Sequence, residues 1–155
     1  MIDTQWQQIN NQEDIDHIMT RFGGFHDSCI KELYIWTGHH VDEDLSMSVP
    51  MQRDYKVRLL VQRQYANPTA IELMFDELVQ LYIKPSPENY DSIIYGANFL
   101  CKDGLFYWAD DREWTPEKAH QYQDVNWICS NKMKWREVNE WVGEIQRYGP
   151  QDNIE

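Results

Sequence analysis

The chain has 155 residues, of which 42% are hydrophobic and 14% are aromatic, and its formal net charge is −12 at pH 7. The aromatic content excludes a disordered acidic chain, and the length fits a single domain, residues 1–155, with a sizeable core. The negative field repels phosphate backbones, so we expect no nucleic-acid partner and favour a basic protein partner instead.

Cysteine usage and the lengths of the apolar runs predict the cellular compartment of the protein. Cys29, Cys101 and Cys129 are odd in number, far apart and without metal-ligand spacing, which is typical of a reducing cytoplasm. The sequence has no apolar run of membrane-spanning length and no secretory leader pattern. We therefore expect a cytoplasmic protein without membrane contact, with frayed tails at residues 1–9 and 150–155.

The first predicted element is a helix that ends at Gly23. Asn10 followed by Glu13 is typical of a helix N-terminus with a capping box. Four apolar side chains then fall at helical spacing, which predicts one buried helix face: Ile15, Ile18, Met19 and Phe22. The Gly23-Gly24 pair allows the chain to reverse direction directly after this helix.

The middle of the chain alternates apolar and polar residues with a period of two, which predicts strands. The predicted strands cover residues 28–37, 45–49, 55–62, 71–75, 79–83, 92–101 and 104–109. Asp76-Glu77 is interpreted as a break between two strands, and Asp103-Gly104 as a hairpin turn.

The last third of the chain predicts two helices. Thr115-Pro116 resembles an N-cap followed by a first-turn proline, so a short helix is expected there. A second helix is predicted from an apolar stripe that Gly149 terminates: Trp135, Val138, Trp141, Val142, Ile145 and Tyr148. The expected fold is α+β, with one antiparallel sheet, strongly curved or nearly a barrel, and the N-terminal and C-terminal helices packed on it.

The corner Phe25-His26-Asp27, between the first helix and the first long strand, is a candidate site with two interpretations. His26 could act as a general base or ligand contact with Asp27 nearby. Adjacent strand residues point to opposite faces, however, so Asp27 orients His26 only if the backbone turns there. The alternative is structural, with Asp27 accepting backbone N–H bonds in a turn and His26 bonding a neighbour.

Two acidic loops are the predicted binding surfaces. The first holds Asp42, Glu43 and Asp44 after His39-His40, and these residues match no zinc-ligand spacing, so we expect a solvated loop without a metal. The second loop contains Asp110, Asp111 and Trp114. Trp114 is the best candidate for an exposed aromatic anchor, because such anchors dominate protein interfaces.

The sequence favours binding over catalysis. It contains no dinucleotide-binding glycine motif, no phosphate-binding loop, no nucleophile elbow, no zinc-protease motif and no EF-hand loop. We therefore assign no catalytic residue and expect no cofactor, while the His26-Asp27 corner keeps an enzyme or a small-ligand-binding protein open as the alternative.

Two short motifs carry a family resemblance. The Phe25-His26-Asp27 corner precedes a strand, and the later segments 71–75 and 79–81 form an L-x-F and V-x-L strand pair. Over residues 20–110 the chain resembles small bacterial proteins, some of them classed as immunity proteins of polymorphic toxin systems. The resemblance implies a cytoplasmic, non-enzymatic protein that binds and neutralises a cognate toxin. An acidic chain suits a basic toxin domain as that partner.

Overall fold

The computed structural model of the protein describes residues 5–149. This part of the chain contains one α-helix, nine strands and two 3-10 helices, at Gly23–Phe25 and Pro116–Gln121. The labelled elements in chain order are β1 (Gln7–Ile9), α1 (Gln12–Arg21), β2 (Ser28–Trp36), β3 (His40–Val41), β4 (Met47–Ser48), β5 (Lys56–Arg63), β6 (Ala70–Tyr82), β7 (Asn98–Lys102), β8 (Leu105–Ala109) and β9 (Trp127–Glu137). None of the helices between residues 5 and 149 is long and apolar enough to cross a membrane.

Helix α1 forms where its apolar stripe predicts it, with the N-cap one residue later than expected. The side-chain oxygen of Asn11 accepts the backbone N–H of Asp14 at 2.9 Å. The Asp14 carboxylate in turn accepts the N–H of Asn10 at 2.8 Å, so two backbone donors at the helix start are satisfied. Ile15 and Ile18 are fully buried on the helix face that meets the sheet.

Seven strands form one antiparallel sheet in the order β2-β5-β6-β9-β8-β7. Strand β1 pairs with β9 as well, beside the part of β9 that β8 leaves uncovered. Within the described residues β2, β7 and the short β1 are edge strands of this sheet, so it is open and not closed into a barrel. The predicted α+β class with a large antiparallel sheet is confirmed, and β1 orders residues 7–9 of the N-terminal tail that was expected to fray.

The predicted break at Asp76-Glu77 is wrong, because β6 continues through it. Strand β6 runs from Ala70 to Tyr82 and pairs with β9 along nearly its whole length. The irregularity appears as a register shift between Leu78 and Gln80, with Glu77 at a φ of +52°. A bulge of this kind absorbs polar residues without ending a strand.

The predicted C-terminal helix is also wrong. Its first apolar residue, Trp135, belongs to β9, and there the neighbouring strands β6 and β1 supply the backbone partners that a helix would find within itself. The buried residues Met133 and Trp135 alternate with the more accessible Lys132 and Lys134, which is a strand period. Residues 138–149 that follow form no regular helix, and we call this segment the strap. Residues 1–4 and 150–155, the remaining predicted tails, lie outside the described residues.

The strap covers a polar row on the outer face of the sheet, the face opposite α1. Glu72 in β6 is fully buried and sits between Arg58 of β5 and Arg136 of β9. One Glu72 oxygen accepts from Arg58 at 2.6 Å and from the Tyr148 hydroxyl at 2.5 Å, and the other accepts from Arg136 at 2.6 Å. Burial, together with the Glu72 charge, raises the pKa of the Tyr148 phenol.

A second carboxylate holds the backbone of the strap. Glu32 in β2 accepts the N–H of Arg147 at 2.7 Å and that of Tyr148 at 2.8 Å. The side chains of Trp141 and Tyr148 pack against a small buried cluster on the same face. Two of the residues predicted as a helix stripe, Trp141 and Tyr148, therefore cover the buried Glu72 and its arginines, whereas Val142 and Ile145 are exposed.

Candidate functional site

Residues 37–55, between β2 and β5, form a projecting segment that we call the arm. Its strands pair only with each other, His40 with Ser48 and Val41 with Met47, and make a two-stranded sheet separate from the large one. At the tip, Leu45 has a φ of +70° and donates its N–H to the carbonyl of Asp42 at 2.8 Å. The arm is therefore a defined hairpin, and its exposed turn holds the acidic residues 42–44 that the sequence predicts in a solvated loop.

The three acidic residues of the first predicted surface sit together at this tip. Asp42, Glu43 and Asp44 are all exposed. Hydrogen bonds from the hydroxyl and the backbone N–H of Ser46 hold the pKa of Asp44 below its ordinary value. His40 lies 3.0 Å from Asp42. The structure thus brings the three predicted carboxylates onto one short turn.

Exposed hydrophobic side chains concentrate on and beside the arm. Of the sixteen exposed large hydrophobic residues within the described part of the chain, nine fall between positions 34 and 55. They are Tyr34, Ile35, Trp36, Val41, Leu45, Met47, Val49, Met51 and Tyr55. Met51 is 99% exposed and Leu45 is 83% exposed. Single exposed apolar residues are ordinary, but a concentration of them marks a surface for association.

A cavity of about 550 Å³ lies where the arm meets the sheet. His39 and Asp54 line it, with His39 Nε2 3.2 Å from one Asp54 oxygen. The other Asp54 oxygen accepts the N–H of Gly38 at 2.8 Å, and the His39 ring meets the ring of Tyr55 edge-on at 5.5 Å. The two adjacent histidine side chains therefore lie in different places: His40 contacts Asp42 at the tip, and His39 lines the cavity beside Asp54.

Among residues 5–149 no group of three or more His, Cys, Asp or Glu side chains could hold a metal ion. The pairing of His39 with Asp54, fifteen positions later in the chain, was not anticipated from the sequence. One local feature of the sequence hinted at this pairing. Asp54-Tyr55 directly precedes a strongly alternating strand, which places the polar Asp54 at the end of the sheet.

His26 and Asp27 do contact each other. Asp27 adopts a φ of +54°, so the backbone turns before β2 begins and His26 Nε2 lies 3.2 Å from an Asp27 oxygen. The other ring nitrogen, Nδ1, is 2.9 Å from the carbonyl oxygen of Tyr95. Neither residue lines the cavity at the arm or the larger cavity beside residues 83–96 in the described structure. The pair bridges the corner to a neighbouring loop.

The backbone at Asp27 predicts a stability effect at this corner. Asp27→Ala should lower the free energy of unfolding by about 1 kcal/mol, because alanine tolerates a left-handed conformation less well than aspartate. Asp27→Asn is the matched control and should be close to wild type, since asparagine also tolerates positive φ. Urea unfolding measures both, and equal losses for the two variants would show that the carboxylate charge matters and the backbone does not.

The exposed-anchor prediction for Trp114 in the second predicted surface is wrong, whereas Asp110 and Asp111 are half-buried. Trp114 is 0% exposed and packs on Trp127, with ring centroids 5.1 Å apart. The Asp110 carboxylate accepts the backbone and side-chain N–H groups of Asn126 at 3.0 and 2.8 Å. Burial raises the pKa of Asp110. Asp111 accepts the N–H of Glu113 at 2.8 Å. Trp114 and Val125 share a buried cluster with Ala109 of β8, so residues 110–126 lie against the sheet, which the acidic composition does not indicate.

No protein-family model, no curated protein and no solved structure matches this chain. The arm, with its acidic tip, exposed apolar side chains and basal cavity, is therefore the candidate site on geometric grounds alone.

Proposed function

We propose that this chain is a non-enzymatic protein that binds a basic protein partner through the arm, as an immunity protein binds and neutralises a toxin. The observation that carries the proposal is the coincidence of Asp42, Glu43 and Asp44 with the main concentration of exposed apolar side chains. Protein interfaces combine an apolar centre with a polar rim, and the arm presents both on one hairpin.

The two kinds of side chain have separate physical roles in this proposal. Burial of Leu45, Met47 and Met51 would supply the main favourable contribution, at about 25 cal/mol for each Å² removed from water, from which the cost of association is subtracted. The carboxylates and the net charge of −12 would accelerate encounter with a basic surface. The resemblance of the Phe25-His26-Asp27 corner to immunity proteins agrees with a cytoplasmic toxin-neutralising role.

Co-expression with a toxin tests this function. The domain to test is the C-terminal domain of any large secreted protein that is encoded beside this gene. We expect that domain to arrest bacterial growth alone, and the full-length chain to restore growth and to co-purify with it. Growth arrest that this chain does not relieve, with both proteins expressed and folded, would contradict the proposal.

Neutralising the tip tests the arm directly. The triple variant Asp42→Asn, Glu43→Gln, Asp44→Asn should slow association with a basic partner by roughly tenfold at low salt and flatten the salt dependence of the rate. The matched control, Glu13→Gln, Asp16→Asn, Asp103→Asn, makes the same charge change at exposed positions outside the arm. Stopped-flow kinetics compares them, and equal on-rates for the two triples would remove the arm from the interface.

The contact between His26 and Asp27 supports one alternative, a small-ligand-binding protein or enzyme at that corner. A histidine held 3.2 Å from a carboxylate can be oriented as a general base, but the other ring nitrogen already lies 2.9 Å from the carbonyl of Tyr95, so one of the two contacts would have to open for His26 to accept a proton. On this alternative His26→Ala would keep the fold and abolish an activity or a ligand. On our proposal the same variant would neutralise the toxin as wild type does, and the growth assay separates the two.

A further inference from the structure

We infer that the cavity at the base of the arm receives an arginine side chain of the partner. The inference rests on the proposed function, because it names what the basic partner inserts. The cavity has a volume of about 550 Å³, which lies within the range of natural ligand sites and exceeds what one side chain fills. The partner's backbone beside that arginine would fill the remainder.

The walls of the cavity suit the aliphatic part of an arginine. Ile35 from β2 and Val79 and Leu81 from β6 provide apolar surface around it. Ile35 is 45% exposed, so its apolar surface is available to a partner. Long cationic side chains bury their methylene groups on such surfaces and place the charged head on a polar group.

Asp54 provides the group that the head would contact. Its side chain is 17% exposed; one oxygen lies 3.2 Å from His39 Nε2, and the other accepts the N–H of Gly38 at 2.8 Å. An ionised carboxylate offers about four acceptor positions, so two remain for a guanidinium. The existing contacts hold the carboxylate in one orientation, which lowers the entropy cost of forming a further bond.

Tyr55 favours arginine over lysine. Its ring lines the cavity, is 42% exposed and is fixed edge-on against His39. A planar guanidinium can stack on an aromatic ring while donating to a carboxylate, whereas an ammonium group is a compact, strongly hydrated charge. Arg53 also lines the cavity and donates to the carbonyl of Leu78, another lining residue, at 3.4 Å, so the Asp54 carboxylate must outweigh this resident cation for the partner's arginine to bind.

The test uses a blocked tripeptide, acetyl-Gly-Arg-Gly-amide, and its citrulline analogue, which has the same shape without the charge. Titration into the full-length protein is followed by NMR. We expect the arginine peptide to shift the methyl signals of Ile35, Val79 and Leu81 in a saturable way, and citrulline to bind about tenfold more weakly. Equal affinity for the two peptides, or shifts confined to residues 42–44, would overturn the inference.

Variants locate the contact. Asp54→Asn should weaken the arginine peptide about tenfold, while Asp42→Asn, which removes an acid outside the cavity, should change its affinity less than twofold. If Asp54→Asn unfolds, Gln80→Arg serves instead, because Gln80 lines the cavity and is exposed, so the new cation repels the peptide without disturbing the core. Unchanged binding to folded Asp54→Asn or to Gln80→Arg would contradict the inference.

The inference and the proposed function can fail separately. A toxin domain that binds the arm equally well with Asp54→Asn as with wild type would refute the cavity contact and leave the arm as the interface. A chain that binds the arginine peptide but fails to relieve toxin arrest would keep the cavity contact and refute the toxin partner.

Discussion

Glu72→Ala is expected to lower the free energy of unfolding by about 3 kcal/mol, because it leaves Arg58 and Arg136 facing each other without their shared carboxylate. The value is set at the low end for a broken buried ion pair, since the two arginine side chains are 30% and 19% exposed and water screens them in part. The Tyr148 hydroxyl would lose its acceptor as well, which loosens the strap.

Three further variants separate charge from hydrogen bonding at Glu72. Glu72→Gln keeps the shape and should cost less than alanine, and Tyr148→Phe should cost about 1 kcal/mol for one hydrogen bond. Glu43→Ala, an exposed acid on the arm, should stay within about 0.5 kcal/mol of wild type. Urea unfolding measures all four. A Glu72→Ala loss as small as that of Glu43→Ala would mean that the buried row contributes little to stability.

Trp114→Ala should be equally severe, with a loss of about 3–5 kcal/mol in the free energy of unfolding. The side chain is completely buried between Tyr107 and Trp127, so its removal leaves a cavity that the surrounding loop fills only partly. The carbonyl of Trp114 also accepts from the Asn98 side chain at 2.5 Å, which ties this loop to β7.

Trp36→Ala is the control, because Trp36 lies at the end of β2 and is 47% exposed. It should cost about 1 kcal/mol or less, from partial burial and its contact with Lys56. Thermal and urea unfolding compare the two tryptophans. Similar small losses of stability for the two variants would mean that Trp114 contributes no more to the core than an exposed tryptophan.

Elements with a strong local period were predictable. Helix α1 follows from its apolar stripe and the two glycines after it, and β2 and β5 follow from alternation in residues with high strand preference. The N-cap moved by one residue, from Asn10 to Asn11, because adjacent asparagines offer the same side chain and tertiary packing selects between them.

Strand β9 was not predictable in the same way. Trp135 and Val138 are three residues apart, a spacing that fits one face of a helix and also fits a strand followed by a covering segment. The pattern alone does not distinguish these two structures. The partners of β9 come from residues 70–82 and 105–109, and their backbone hydrogen bonds overrule the local pattern.

The candidate site shows the same division. The acidic residues 42–44 were recognised because charge is a property of composition. The cavity was missed because it joins residues from three separate places, Ile35, the arm, and β6, and no sequence spacing records that contact. Trp114 was misplaced for the opposite reason, since an acidic neighbourhood suggests solvent, whereas Trp114 packs on Trp127 and the neighbouring Asp110 binds Asn126.

The amino-acid sequence alone determines the acidity of this protein, its α+β class, the first helix and the strands with clear alternation, because these depend on side-chain chemistry and on neighbours within a few positions. Folding in three dimensions determines the central position of β9, the cover over Glu72 and the cavity beside Asp54, because these depend on long-range backbone pairing and on the burial of charges that lie far apart in the chain.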